Sequence, residues 1–251
     1  AVLGGSPAAC GSDVTVGGVA AQLADARLFL SGIELRNADG DWVPLALTPD
    51  DKWQRESLVL LDFEDGTGAC ADSGNSDLNT EAVGTIAEGT YDAVRFDLGV
   101  PFADNHNDSA TEAAPLNAPG MFWTWQGGYK FVRVDLMTTG ADPVRWNVHI
   151  GSTACESGAP VQAPSEECGR PNRASITLEG IDPTVDTLTV DLDALVAGVD
   201  ISANTVDTPP GCMSAPTEPD DCDPIFGAVG LDFASGTCAG DCADQSVFSV
   251  L

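Results

Sequence analysis

The chain has 251 residues, 39 of them acidic and 10 basic, for a formal charge of −29. A surface this negative excludes nucleic-acid or anionic-membrane binding as a main activity, because both need a basic face that displaces counterions. With 43% apolar residues the sequence carries enough hydrophobic material for a packed core, and its 27 glycines and 16 prolines suit many turns between short strands rather than a helical bundle.

The elements expected in chain order are mostly strands. Arg27–Leu35 reads as a half-buried strand followed by turn chemistry at Asn37–Gly40, and Trp42–Leu47 reads as its hairpin return with Pro44 at an edge. Leu58–Phe63 is a short apolar run that fits a buried strand. Thr90–Val100, Tyr129–Met137 and Val144–Ile150 alternate apolar with polar residues; in the second of these Phe131, Arg133 and Asp135 lie opposite Val132, Val134 and Leu136. Ala174–Leu178 and Thr187–Leu192 follow, separated by the Asp182-Pro183 turn. Leu192–Val199 suggests one or two helical turns, and Asp223–Gly230 a short helix after a Pro-, Asp- and Cys-rich loop. No fixed-period repeat or composition break divides the chain. The expectation is one all-β domain over residues 1–251, a Greek-key sandwich or barrel with long disulfide-stapled loops.

Eight cysteines, an even number with no CxxC pair, point to disulfides in an oxidising compartment rather than to a zinc site. Sequence permits 105 pairings of eight cysteines. Short loops favour Cys155–Cys168, Cys212–Cys222 and Cys238–Cys242, which leaves Cys10–Cys70. No basic-then-apolar signal opens the sequence, so Ala1 is read as following a cleaved one. No apolar run is long enough to span a bilayer.

Nucleophile elbows, phosphate loops and paired-histidine zinc motifs are absent. Among 39 carboxylates, none is singled out by spacing as a hydrolytic pair. The stretch Asp62-Phe-Glu64-Asp65-Gly66 has the composition of a calcium loop without its spacing, and reads as a solvated turn. The densest feature is Leu116–Phe131, where Phe122, Trp123, Trp125, Tyr129 and Phe131 crowd together in a protein only 6% aromatic. As a strand it would set Trp123 and Trp125 on one face, serving either as a core strand or as a ligand-binding or adhesion platform. The only histidines are His106, in a polar loop before this segment, and His149, in a strand after it. A two-imidazole metal site with few other ligands suits copper better than calcium or magnesium.

Taken together, Leu60–Cys70, Phe96-Asp-Leu-Gly-Val-Pro-Phe102, His106, Ala114-Pro-Leu-Asn117, Met121-Phe-Trp-Thr-Trp-Gln-Gly-Gly-Tyr-Lys-Phe131, His149-Ile-Gly-Ser-Thr153 to Cys155, and Pro210–Ser214 make the chain resemble the four-Cys "metallo-mystery pair" family of MbnP, related to the copper proteins MopE and CorA. The Cys238/Cys242 pair lies outside that likeness. The resemblance implies a periplasmic or secreted, non-enzymatic, monomeric protein that binds one copper ion. In such proteins a di-haem, MauG-like partner of the MbnH type oxidises a tryptophan to kynurenine, which joins two histidines around the metal. Carried over here, the histidines are His106 and His149, and the kynurenine candidates are Trp123, Trp125 and Trp146.

Overall fold

A computed structural model describes residues 1–71 and 74–251. Twelve strands carry the architecture: β1 (Asp13–Val16), β2 (Val19–Asn37), β3 (Trp42–Pro44), β4 (Leu58–Asp62), β5 (Tyr91–Leu98), β6 (Phe122–Thr124), β7 (Gly128–Thr138), β8 (Arg145–Gly151), β9 (Ala174–Glu179), β10 (Leu188–Val190), β11 (Gly211–Cys212) and β12 (Phe248–Val250). Three helices, α1 (Phe102–Asn105), α2 (Leu192–Val196) and α3 (Pro219–Ala228), are short, and several two-residue strand pairs decorate the loops. None of the described helices is long and apolar enough to cross a membrane.

The organising element is β2. Its 19 residues span about 60 Å at about 3.3 Å per residue. Leu28 pairs with both Val132 of β7 and Leu61 of β4, and Leu30 pairs with both Leu98 of β5 and Val59 of β4. Each residue has only two edges, so β7 and β5 must lie end to end along one edge of β2, with β1, β4 and β3 along the other. One end of β2 thus belongs to a layer continuing through β7, β8 and β11, and the other end to a layer continuing through β5 and β9. Side chains from both layers enter a single core, Val132, Val134, Trp146, Val148 and Ile150 from one and Val94, Phe96, Leu98 and Ile176 from the other.

Two bulges let one strand serve both layers. In β2 the core-facing residues are Leu23 and Ala21, then Ala26, Leu28 and Leu30, then Ile33 and Leu35. The parity changes where Ala24 is inserted opposite the Asp135–Leu136 step, and again beside Gly32, which has φ +60°. An extra residue reverses which side chains face inward, and the second insertion uses the residue type that tolerates a left-handed backbone. The same device is how strands turn corners between packed sheets.

The sheets stay open. The main path runs β9-β5-β2-β7-β8-β11, all antiparallel except the terminal β8–β11 pair, and does not close on itself. The barrel alternative is therefore corrected in favour of packed open layers. The reason lies in the edges: β9 ends one side, and the two-residue β11 ends the other. Disulfides join Cys10–Cys70, Cys155–Cys168, Cys212–Cys222 and Cys238–Cys242.

Some boundaries differ from the sequence expectation. The Trp42–Leu47 return is split into Trp42–Pro44 and Ala46–Leu47, which pair with different partners. Helix α3 begins at Pro219 rather than near Asp223, with proline at its first turn, where a missing N–H costs nothing. Helix α2 is capped by Asp191, whose side chain accepts the Ala194 amide at 2.9 Å.

Candidate metal centre

Side chains that alternate away from the main core on β4, β2, β7 and β8 form a second, outer face. Near the middle of the sheet this face is apolar and aromatic, with Phe29, Leu58, Leu60, Val100, Leu116, Met121, Tyr129 and Phe131 in a separate cluster. Beside that cluster it becomes charged. Asp62, Arg27, Arg133 and His149 are successive cross-strand partners in one row; Asp25, Asp135 and Asn147 form the next.

The register puts Arg27 directly opposite Arg133, an unfavourable pairing that the neighbouring carboxylates neutralise. Arg27 Nε and Nη2 donate to Asp25 at 2.9 and 2.5 Å, and Arg133 Nε lies 3.1 Å from the same carboxylate. Arg133 Nη2 and Arg145 Nη1 donate to Asp135 Oδ2 at 2.9 and 3.1 Å. The remaining oxygen of Asp135 lies 2.7 Å from His149 Nε2. Burial alone would raise the Asp135 carboxyl, but the His149 hydrogen bond and the Arg133 charge hold it well below the usual carboxylate range. As an ionised acceptor it requires the proton on His149 Nε2 and leaves the Nδ1 lone pair for another partner. Burial keeps the His149 imidazole below its ordinary pKa despite that carboxylate. No hydrogen bond to Nδ1 is made among the described residues.

His106 follows α1 as its C-cap, its ring 5.2 Å from that of Phe102. Its Nδ1 is 3.0 Å from the Trp125 carbonyl, which can only accept, so Nδ1 carries the proton. The lone pair on Nε2 faces Asn105 Nδ2 at 3.2 Å and Cys168 Sγ at 3.5 Å. Burial again lowers the imidazole pKa. Asn105 is the hinge of this arrangement: Oδ1 accepts the Tyr129 amide at 2.8 Å, and Nδ2 reaches Ser152 Oγ at 3.3 Å. Both imidazoles are therefore tied to the C-terminal end of β8, His149 within it and His106 just beyond it.

The structure separates the three tryptophan candidates. Trp146 stands three residues before His149 on β8, points to the opposite face, and is 1% exposed in the main core with its Nε1 unpartnered. Trp125 lies beyond the end of β6, so it does not share a strand face with Trp123 as the alternation suggested; its side chain is 40% exposed and its carbonyl holds His106. The strand stops at Thr124 because the chain turns there, with Gly127 N donating to Thr124 Oγ1 at 3.0 Å. Trp123 packs against β8. A Cβ built on Gly151 would lie 2.5 Å from Trp123 Cζ3, so the indole occupies the space a side chain would fill on the His149 side of the strand. Only glycine permits that approach at position 151.

The aromatic segment is thus divided rather than displayed. Tyr129, Phe131 and Met121 are fully buried, and Tyr129 donates its hydroxyl to the Leu116 carbonyl at 2.5 Å. Trp123 borders an open cleft of about 500 Å³ shared with Gln126, Thr153, Cys155, Pro209 and Met213. A second cavity, about 580 Å³, lies over the charged rows between Arg27, Asp62, Arg133, Trp53 and Asn117.

The acidic stretch is not a single solvated turn. Asp62 and Glu64 are buried on the outer face, whereas Asp65 caps its own turn through Thr67. Glu64 accepts the Gly66 and Asn75 amides, both at 3.0 Å, and Asp62 Oδ1 accepts the Glu64 amide at 3.1 Å. Backbone donors occupy oxygens that a calcium loop would direct at the ion. Burial pushes the Asp62 carboxyl up to about 7.

Groups of three His, Cys, Asp or Glu donors lying within 4.8 Å of one another occur twice among the described residues: His106 with Cys155 and Cys168, and Glu64 with Cys10 and Cys70. Neither contains both histidines. The sequence singles out the two histidines but not the buried Asp135 carboxylate that orients His149, nor the guanidinium groups of Arg133 and Arg145 that hold that carboxylate. The available signal was charge recurring on one parity of otherwise apolar strands, at Asp25, Arg27, Arg133 and Asp135.

The MbnP family model matches residues 1–214. Among solved structures, MbnP from Methylosinus trichosporium is similar at 32% identity, covering 99% of this chain and 94% of that one, with a TM-score of 0.88. No curated protein matches.

Proposed function

The chain belongs to the MbnP family, and from that premise we propose that it is a non-enzymatic, monomeric copper-binding protein of the periplasm or an extracellular setting, with a site built from His106, His149 and a kynurenine formed from Trp123. Family membership supports the copper role, and the four disulfides suit an oxidising compartment.

The observation that carries the reading is the state of the two imidazoles. Each has one ring nitrogen fixed by an acceptor, the Trp125 carbonyl or the Asp135 carboxylate, and each keeps its other nitrogen unprotonated. Metal-binding histidines are oriented in the same way, by an outer hydrogen bond that fixes the tautomer. Burial of both rings opposes protonation, which would otherwise compete with the metal. Two neutral nitrogen donors fit copper, whose bound form would supply the affinity for a further N or O ligand.

Trp123 is the candidate best placed to be that ligand. Its ring lies on the His149 side of β8 at Gly151, next to Ser152, which binds the Asn105 that precedes His106. An intact indole offers a donor N–H and no free lone pair. Oxidative opening of its five-membered ring by a di-haem, MbnH-type partner creates an aryl amine and a ketone, either of which can face a metal. The open cleft beside Trp123 gives that partner an approach.

Copper titration tests the reading. Protein co-expressed with the oxidising partner should bind one equivalent, and the His106→Ala/His149→Ala double variant should lose it. Equal affinity before and after tryptophan oxidation would sink the kynurenine ligand while leaving the histidines. Mass spectrometry of co-expressed protein should place one gained oxygen and one lost carbon on Trp123. Retention of that change in Trp123→Phe would move the assignment to Trp125 or Trp146.

A further inference from the structure

We propose that reduction of the Cys155–Cys168 disulfide unmasks a second metal site, a three-donor set of Cys155 Sγ, Cys168 Sγ and His106 Nε2 that takes a single thiophilic ion such as copper(I) or zinc. The inference rests on the sulfur geometry around His106. It touches the copper reading above only in that the two sites share this imidazole.

All three donor atoms already lie within 4.8 Å of one another. Metal–sulfur and metal–imidazole bonds of about 2.3 and 2.0 Å at a tetrahedral angle put sulfur and nitrogen roughly 3.6 Å apart and two sulfurs roughly 3.8 Å apart. Cys168 Sγ stands 3.5 Å from His106 Nε2, so that pair has the required spacing without movement. Breaking the S–S bond lets the second sulfur part from the first to complete the set. The imidazole is preset in tautomer, because the Trp125 carbonyl holds the proton on Nδ1 and leaves Nε2 facing Cys168 Sγ, with the Asn105 Nδ2 contact at 3.2 Å the one a bound metal would displace. Two thiolates and an imidazole form a soft donor set that selects copper(I) or zinc over calcium or magnesium.

Access differs between the two cysteines. Cys168 is buried, whereas Cys155 is half-buried and lines the open cleft with Gln126 and Met213. The reductant is a dithiol. Its thiolate attacks Cys155 Sγ, the S–S bond breaks, and Cys168 leaves as a thiolate beside His106. The second thiol of the reductant then displaces Cys155 and closes the reductant's own disulfide. Two electrons pass to the protein, and the two protons of the dithiol end on Cys155 and Cys168, from which a bound metal displaces them.

The test uses full-length protein made without the oxidising partner, reduced with a limiting amount of a trialkylphosphine and titrated with cobalt(II) as the probe. The expected result is one equivalent bound with a thiolate-to-cobalt charge-transfer band, absent from the unreduced protein. Cys155→Ser/Cys168→Ser should show no band, His106→Ala should bind cobalt at least tenfold more weakly, and Asp191→Ala, at the α2 cap, should match the parent chain. The proposal is overturned by a band that survives in the double cysteine variant, by an unchanged affinity in His106→Ala, or by loss of the far-UV circular dichroism of the fold on reduction. Failure here leaves the copper reading standing, since that reading concerns oxidised, tryptophan-modified protein.

Discussion

The two faces of β2, β7 and β8 are made from alternate residues of the same strands, yet they are held together by different physics. Leu28, Val134, Leu136, Val148 and Ile150 enter the main core and contribute through apolar burial alone. Asp25, Arg27, Asp135 and His149 are buried on the other side, with the half-buried Arg133 between them, and depend on mutual pairing. An apolar contact degrades gradually when trimmed. A buried ion network loses much more when one member goes, because the partners are left charged and unpaired. The inner face therefore gives tolerance, and the outer face gives fixed geometry, which His149 needs in the copper site proposed for it.

That contrast is sharpest at Asp135. Replacing it with alanine strands Arg133, Arg145 and the His149 Nε2–H together, and should cost about 3–5 kcal/mol in urea unfolding. Copper affinity of the modified protein should fall with it, since His149 loses the bond that sets its tautomer. Across the same strand, Leu136→Ala opens a cavity in the main core and should cost about 2–5 kcal/mol, with copper affinity unchanged. Should both variants weaken copper equally, the two faces would not be functionally distinct.

A subtler test exploits Asp62. Burial pushes its carboxyl from the ordinary aspartate range up to about 7, so the folded state binds the proton more tightly than the unfolded chain does. Its contribution is fully present below about pH 4 and is lost as pH rises through about 7, opposing the gain that the two buried histidines, held below their ordinary pKa, bring as they shed protons. Asp62→Asn should remove that loss and make the pH slope of stability more positive than in the parent chain; an unchanged slope would place the effect elsewhere. The smallest effect belongs away from both faces, at the α2 cap, where Asp191→Ala should cost about 1 kcal/mol and leave metal binding and the pH profile untouched.

Alternation in the sequence was enough to place Arg133 and Asp135 opposite Val132 and Val134, and the all-β character followed from the same pattern. Alternation does not reveal whether a polar face meets water or other protein. That depends on Leu116–Phe131 folding back over the sheet, a long-range fact. The first third of β2 escaped notice for a local reason: the insertion at Ala24 interrupts the period, so Val19–Ala26 does not scan as a strand. The approach of Trp123 to Gly151 also needed the register of β7 on β8, which is set across a loop whose length alone does not fix it. The histidines were conspicuous because there are only two.

The double edge of β2 bears on how the chain must come together in time. Its β4 side can be completed soon after synthesis, but its β7 side waits for Tyr129–Thr138, which emerges about a hundred residues later. A nascent chain halted before that point holds a long strand with one row of peptide groups unsatisfied, a template for another copy. Amide hydrogens of Leu23–Leu30 should exchange last in the finished protein and be unprotected in any truncation lacking β7.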